Sequence, residues 1–214
     1  MILQRSRRGI ALLWVVAAGA CARPASVSTA PQPVSTRPAL PPPAAPDVEF
    51  MTGMIGHHAQ AIVMAKWAPT HGASASLQIM AARIINSQED EIATMARWLR
   101  DHNLPVPDGS AHGMTMHMDG MDHVMLMPGM LTEDQMKALD AARGVAFDRL
   151  FLTFMIQHHT GALTMVDKLF GSYGAAQDEI VFKFANDVNA DQGSEIDRMH
   201  TMLDALPPAP GTAP

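Results

Sequence analysis

The sequence predicts an all-α protein whose core is a four-helix bundle made of two duplicated helical hairpins. Residues 47–64 recur 101 positions later with nine identities and no gap, which indicates an internal duplication. Apolar residues follow a helical period through both copies, and no segment alternates with a period of two over a strand's length. Two such hairpins packed about a pseudo-two-fold axis form a four-helix bundle.

The first 21 residues are typical of an export signal. Arginines at 5, 7 and 8 precede an apolar run over 10–20, and small residues lead to Cys21. Lipoprotein processing at Cys21 and ordinary cleavage after Ala20 both fit. We favour lipidation, because the only cysteine lies where the lipid would attach and a Pro-rich tether follows. We therefore expect an exported protein, periplasmic or anchored to the membrane through Cys21.

Composition limits the partners further. The 214 residues are 48% hydrophobic, enough for one domain with a buried core. The formal net charge is -6, and loss of the three leader arginines makes it -9. No basic patch favours nucleic acid as a partner.

The first hairpin follows a linker. Residues 22–46 are rich in Ala, Pro, Ser and Thr and predict an extended tether. The bundle domain is expected over 47–206. Its first helix should run from Asp47 to about Trp67 and its second from Ser74 or Ser76 to about Asp101, each ending before a proline.

The second hairpin follows a long connection over 103–131, which we expect to be loop. Thr132 opens a capping box and a short extra helix. A long helix is expected over about 144–170 and a last one over about 175–206, and 207–214 form a flexible tail. Repeats over 47–101 and 144–206 also match in their second halves, at positions that include Gln88 with Gln192 and Glu91 with Glu195.

Adjacent histidines occur in both repeats. At about 100° per residue they fall on the inward half of their helices, with a methionine one turn earlier. Four buried imidazoles in symmetric positions would need four sets of partners if they served no binding role, so we predict a metal site. The methionines fit core packing as well as coordination. The candidate core ligands are His57, His58, Met54, His158, His159, Met155 and Met51.

Residues 112–130 hold seven methionines and three histidines. Several of the methionines lie among Gly, Thr and Asp, where packing against a core does not explain them. This segment should lie at the bundle end that holds Asp47, Met51 and Asp148, and it would pass its cargo to the core. The candidate ligands in it are His112, Met114, Met116, His117, Met118, Met121 and His123.

The ligand types favour copper. Thioethers with imidazoles prefer Cu(I), imidazoles alone can hold Cu(II), and the sequence has no thiolate or carboxylate cluster typical of zinc or iron. An exported protein also loses free thiols to oxidation, whereas thioethers persist. We expect copper ions as the cargo and periplasmic copper-handling proteins as partners.

Three spaced motifs resemble the family called domain of unknown function 305. They are the stretches from Phe50 to Ala61, from Met127 to Leu139 and from Phe147 to Ala162, and the resemblance covers about 47–206. Gly56 departs from many relatives, which have Pro there. The resemblance implies a ferritin-like four-helix bundle, commonly exported, with copper binding or copper tolerance in some members.

The leading hypothesis is a copper sequestering or carrier protein rather than an enzyme. The first alternative is a ferritin-like dinuclear oxidase. Against it, Glu-x-x-His pairs are absent, and a hairpin turn centred near His71 would leave Glu91 about 10 Å from His58 along the bundle axis. The second alternative is a haem-binding bundle with His/Met ligands, which lacks a C-x-x-C-H attachment site.

Overall fold

The computed structural model describes residues 42–111, 114–118 and 121–208. The expected all-α, ferritin-like architecture is confirmed. The predicted signal peptide, most of the predicted linker and residues 209–214 lie outside the described residues. Within the described part, no helix combines the length and the apolarity needed to cross a bilayer. The helices are α1 (Ala45–Trp67), α2 (Ala75–Asp101), α3 (Glu133–Ala141), α4 (Val145–Phe170) and α5 (Glu179–Asp204).

Local sequence signals set the starts of three helices. The hydroxyl of Ser74 accepts a hydrogen bond from the Leu77 backbone N–H, which caps α2. The capping box between Thr132 and Gln135 is present and opens α3 as expected. Helix α5 begins four residues later than expected. Its cap is Asp178, and the preceding turn includes Ala176 at a φ of 54°.

The connection over 103–131, expected to be loop, contains a two-stranded antiparallel ribbon. Strands β1 (Met114–Met118) and β2 (Met121–Met125) pair with Met116 opposite His123. Methionine alternates at 114, 116 and 118, which is a strand signal, so the prediction of loop over these residues is wrong.

The two hairpins, α1–α2 and α4–α5, run in opposite directions along the bundle. The carboxylate of Asp148, at the start of α4, accepts a hydrogen bond from the Ser74 backbone N–H in the first hairpin's turn. The carboxylate of Asp47, at the start of α1, accepts one from the Ala176 backbone N–H in the second hairpin's turn. Asp47 and Asp148 therefore lie at opposite bundle ends, and the expectation that they share one end is wrong.

The segment between the hairpins must therefore cross the length of the bundle. It leaves α2 at the end that holds Asp47 and reaches α4 at the other end, a span of about 39 Å at 1.5 Å per helical residue. Part of it packs closely on α4. A Cβ on Gly161 would lie 2.0 Å from the Pro128 carbonyl oxygen, so only glycine permits this contact.

The core consists of two apolar clusters, one toward each end of the bundle. The first includes Phe50, Met54 and Phe184, and the second includes Met64, Phe147 and Met155. On α1 and α4, the paired histidines fall between the residues assigned to the two clusters. The middle of the bundle is therefore polar.

Candidate metal centre

The histidine layer consists of His57 and His58 from α1 and His158 and His159 from α4. All four side chains are fully buried, as the helical wheel predicted. Helices α1 and α4 bring two of these rings into contact, since the ring centroids of His57 and His158 lie 3.8 Å apart. Within each pair the ring centroids are 6.3 Å and 6.2 Å apart, so the two hairpins contribute in nearly the same way.

Two glutamates accept hydrogen bonds from the outer histidines of the layer, which are His58 and His159. Nε2 of His58 donates a hydrogen bond to Oε2 of Glu91 at 2.5 Å, and Nε2 of His159 donates to Oε2 of Glu195 at 2.7 Å. The expected separation of about 10 Å between His58 and Glu91 is therefore wrong. Side chains tilt toward the N-terminus of their own helix, so on antiparallel helices these two side chains lean toward each other.

The inner histidines, His57 and His158, differ in their hydrogen bonds. Nε2 of His57 donates to the Pro128 carbonyl oxygen at 2.9 Å, which ties the crossing segment to the layer. Neither ring nitrogen of His158 has a hydrogen-bond partner. The repeat is broken at this point because Gln60 in the first copy corresponds to Gly161 in the second, against which Pro128 packs.

Burial keeps the inner histidines neutral. Desolvation, followed by the nearby His58, lowers the pKa of His57 to about 3 from its ordinary value of 6.5. Desolvation also lowers the pKa of His158 well below that value, with His57 as the next cause. Both rings are therefore neutral near pH 7, the form in which imidazole binds a metal.

Unpartnered polar atoms are concentrated among a few residues of the core. In the described part of the chain, ten buried side-chain nitrogen and oxygen atoms lack a hydrogen-bond partner, and nine of them belong to the histidine layer, Gln88 and Gln192. The tenth is the indole nitrogen of Trp98. A buried polar group without a partner costs roughly 1–3 kcal/mol, so these atoms mark a candidate binding site.

The histidine layer contains no preformed group of three metal ligands. Over the described ranges, no three His, Cys, Asp or Glu side chains converge as a ready-made metal site. The ring centroids of His57 and His158 lie only 3.8 Å apart, so the two inner rings contact each other directly. Met51, Met54 and Met155 are fully buried within the apolar clusters, which core packing explains, and coordination by their sulfurs stays a prediction.

The Met/His-rich segment begins and ends beside the layer. The amide nitrogen of Gln60 donates to the carbonyl oxygens of Ala111 and Leu131, and its oxygen accepts from the Leu131 backbone N–H. The two stems of the ribbon, which are the chain segments at Ala111 and Leu131, are thus fixed to α1 one turn beyond His57. Of its candidate ligands, His112 lies outside the described residues. Met114, Met116, His117 and Met118 belong to β1, and Met121 and His123 belong to β2.

An acidic groove of about 510 Å³ lies between α2 and α5. Asp90 and Glu91 line it from α2, and Asp187 and Asp191 line it from α5. Burial and the nearby Glu91, Asp187 and Glu195 raise the pKa of Asp191. Lys183 also lines the groove and pairs with Asp187, but the carboxylates outnumber it, so negative charge is concentrated beside Glu91, which holds His58.

Five residues described here have no site role in the sequence-based prediction. The sequence predicts Glu91 to lie about 10 Å from His58 along the bundle axis, and it assigns no ligand role to Glu195 or to the Pro128 carbonyl. In the sequence, Gln88 and Gln192 stand out only as matching positions of the two repeats. The signal that could have found them is that Gln-x-x-Glu recurs in the second helix of each repeat.

Fold and site together define a bundle protein with a buried, neutral histidine layer and a separate Met/His-rich ribbon. The family described as domain of unknown function (DUF305) matches residues 47–203. The chain belongs to this family. No functionally curated protein matches it.

Several solved structures have the same fold, and two of them are described as DUF305 proteins. A DUF305 protein from Streptomyces coelicolor, named as a presumed secreted protein, is 25% identical with a TM-score of 0.61, over 74% of this chain and 91% of that one. A DUF305 fragment from Deinococcus radiodurans is 24% identical with a TM-score of 0.64, over 78% and 100%. CopM in its Cu(I)-bound form is 28% identical with a TM-score of 0.56, over 74% and 95%. CopM structures also include a Cu(II)-bound form.

Proposed function

We propose that this protein is an exported copper-binding protein that sequesters or transfers copper. The observation that carries the proposal is the histidine layer, in which three of the four buried imidazoles have a hydrogen-bonded Nε2 and all four have an Nδ1 without a partner. In three of the four histidines, Nε2 donates to a glutamate or a carbonyl oxygen. That bond fixes the tautomer and leaves the Nδ1 lone pair free for a metal.

The glutamates support the same reading. A histidine that binds a metal commonly donates its other N–H to a carboxylate, which orients the ring and raises its basicity. Glu91 and Glu195 make this contact with His58 and His159. They would therefore position the ligands rather than bind the ion.

CopM supports the choice of metal. It has been solved with Cu(I), Cu(II) and silver bound, and this chain is 28–29% identical to those copper-bound structures over 74% of its length. Silver and Cu(I) are both soft ions, which thioether and imidazole ligands suit. We assign the same kind of cargo to this protein.

The Met/His-rich segment would acquire copper and the layer would hold it. Both stems of the ribbon are fixed to α1 by Gln60, and Pro128 contacts His57, so an ion released by the segment has a short path to the layer. The acidic groove between α2 and α5 offers a second route for a cation, because its carboxylates outnumber Lys183, the lysine that lines it, and an arriving positive charge relieves the remaining repulsion.

The test is a copper titration of the chain from residue 22, with Cu(I) under anaerobic conditions and Cu(II) in air. One variant replaces the four layer histidines by Gln, a second replaces 112–125 by a Gly/Ser linker, and exposed His200→Gln is the control. We expect the first two variants each to lose a different class of bound copper. Unchanged stoichiometry and affinity in the histidine variant would remove the core site.

A second candidate, the dinuclear oxidase, gains one observation from the structure. Two His–Glu pairs, His58 with Glu91 and His159 with Glu195, lie in pseudo-symmetric positions of the bundle. Against it, the described residues hold no ready group of three such ligands. Dioxygen consumption by an iron-loaded sample, absent in a Glu91→Gln variant, would favour the oxidase over the carrier.

A further inference from the structure

Two glutamines in the core have no partner for either end of the carboxamide. Gln88 is 1% exposed and Gln192 is 2% exposed, and in both the oxygen and the nitrogen lack hydrogen bonds. They occupy matching positions, three residues before Glu91 and Glu195. At this spacing each glutamine shares a helix face with the carboxylate that holds a histidine of the layer.

A third buried glutamine shows what a structural role looks like in this protein. Gln60 is also 2% exposed, but its nitrogen donates to two carbonyl oxygens and its oxygen accepts from a backbone N–H. The contribution of these hydrogen bonds to fold stability is therefore enough to explain why Gln60 is a buried glutamine. It does not account for Gln88 or Gln192, because a leucine in either place would bury no unpaired amide.

The chemistry of the amide narrows what could satisfy these side chains. A carboxamide has an acceptor oxygen and a donor NH₂ group. A bare metal ion can engage only the oxygen and would leave the NH₂ group unpaired. A water molecule both donates and accepts, so a metal ion that carries water ligands can satisfy both ends of each amide.

We propose that Gln88 and Gln192 hydrogen-bond the water ligands of a Cu(II) ion held by the histidine layer. The layer then prefers copper that arrives as Cu(II), the thioether-rich 112–130 segment prefers Cu(I), and an ion that passes between them keeps its oxidation state. This division follows ligand preference, since imidazole and oxygen donors suit Cu(II) and thioethers suit Cu(I). The inference rests on the proposed function, because it requires copper in the layer.

The experiment compares the Gln88→Leu/Gln192→Leu double variant with the unaltered chain from residue 22. Exposed Gln78→Leu, also on α2, is the matched control. Cu(II) affinity is measured by competition titration with electron paramagnetic resonance detection, Cu(I) affinity by anaerobic titration, and the metal-free melting temperature by calorimetry. A fourth sample with the layer histidines replaced by Gln reports whether the Cu(II) signal comes from the layer.

We expect the double variant to bind Cu(II) at least ~10-fold more weakly, because loss of groups that hydrogen-bond a metal's ligands commonly has an effect of this size. Its electron paramagnetic resonance spectrum should also change. Cu(I) affinity should be unchanged. The metal-free protein should melt at the same temperature or about 2–4 °C higher, because two unpaired amides have been removed from the core.

An unchanged Cu(II) affinity and spectrum would overturn the inference. So would a lower melting temperature of the metal-free variant, because it would mean that the amides already have partners, and so would an equal loss of Cu(I) and Cu(II) affinity. If the double variant does not fold, the two single variants give the same readouts. A Cu(II) signal that is absent, or that survives loss of the layer histidines, is the separate failure of the proposed function.

Discussion

Glu91 accepts a hydrogen bond of 2.5 Å from Nε2 of His58 across the first hairpin, and Glu195 makes the corresponding 2.7 Å contact with His159. Both histidines are fully buried, whereas the side chains of the two glutamates are 16% and 23% exposed. Each glutamate therefore joins the interior to the solvent-facing side of the bundle and fixes one ring of the layer.

Replacing both glutamates by glutamine should weaken copper binding without unfolding the protein. A glutamine can accept from Nε2 through its oxygen but has no charge to raise the basicity of the ring, so we expect a loss of about 10–100-fold in affinity. Competition with a chromophoric chelator measures it. Glu89→Gln on the exposed side of α2 is the control, and an equal loss there would point to a general electrostatic effect.

Gly161 and Gly193 form a matched pair for testing the crossing segment. A Cβ on Gly161 would lie 2.0 Å from the Pro128 carbonyl oxygen, whereas a Cβ on Gly193 would meet nothing within 4 Å. Gly161→Ala should destabilise the protein by about 1–3 kcal/mol through overpacking. Gly193→Ala, in the interior of α5, should stabilise it by about 0.5–1 kcal/mol. Urea unfolding of both variants gives the two signs, and a neutral Gly161→Ala would contradict the packing.

The sequence was informative about the bundle because its signals are local. Caps at Ser74 and Thr132, and the inward faces of the four histidines, follow from residue type and helical period alone. The placement of Asp47 and Asp148 at opposite ends did not follow, because it depends on the path of the crossing segment. The contact of His58 with Glu91 was missed because spacing along two helix axes ignores the tilt of their side chains.

Gln60 should hold both stems of the ribbon in place. It bonds the backbone of Ala111 and of Leu131, so Gln60→Ala leaves three buried backbone contacts unmade. We expect a loss of about 1–3 kcal/mol in the free energy of unfolding and faster proteolysis within 112–130. Mass spectrometry of a timed digest locates the cuts. Gln78→Ala is the control, and cleavage outside the segment at the same rate would argue against this role for Gln60.

The metal-free protein should lose stability as the pH falls below about 6.5. The folded-state pKa of His57 is lowered to about 3, and that of His158 is lowered well below its ordinary value of 6.5. Between the folded and unfolded pKa values the unfolded chain binds more protons, so the free energy of unfolding decreases with falling pH. Each histidine contributes about 1.4 kcal/mol per pH unit in this window.

Other buried groups act in the opposite direction, which makes a matched variant necessary. Burial raises the pKa of Asp47 and of Asp191, so these carboxyls favour the folded state as the pH falls through the acid range. A His57→Gln/His158→Gln variant keeps both aspartates and removes only the histidine contribution. Its urea midpoint between pH 4 and 7 should therefore change less with pH than that of the unaltered protein, measured with a chelator present. Parallel curves for the two proteins would mean that these imidazoles are not held neutral by burial in the folded state.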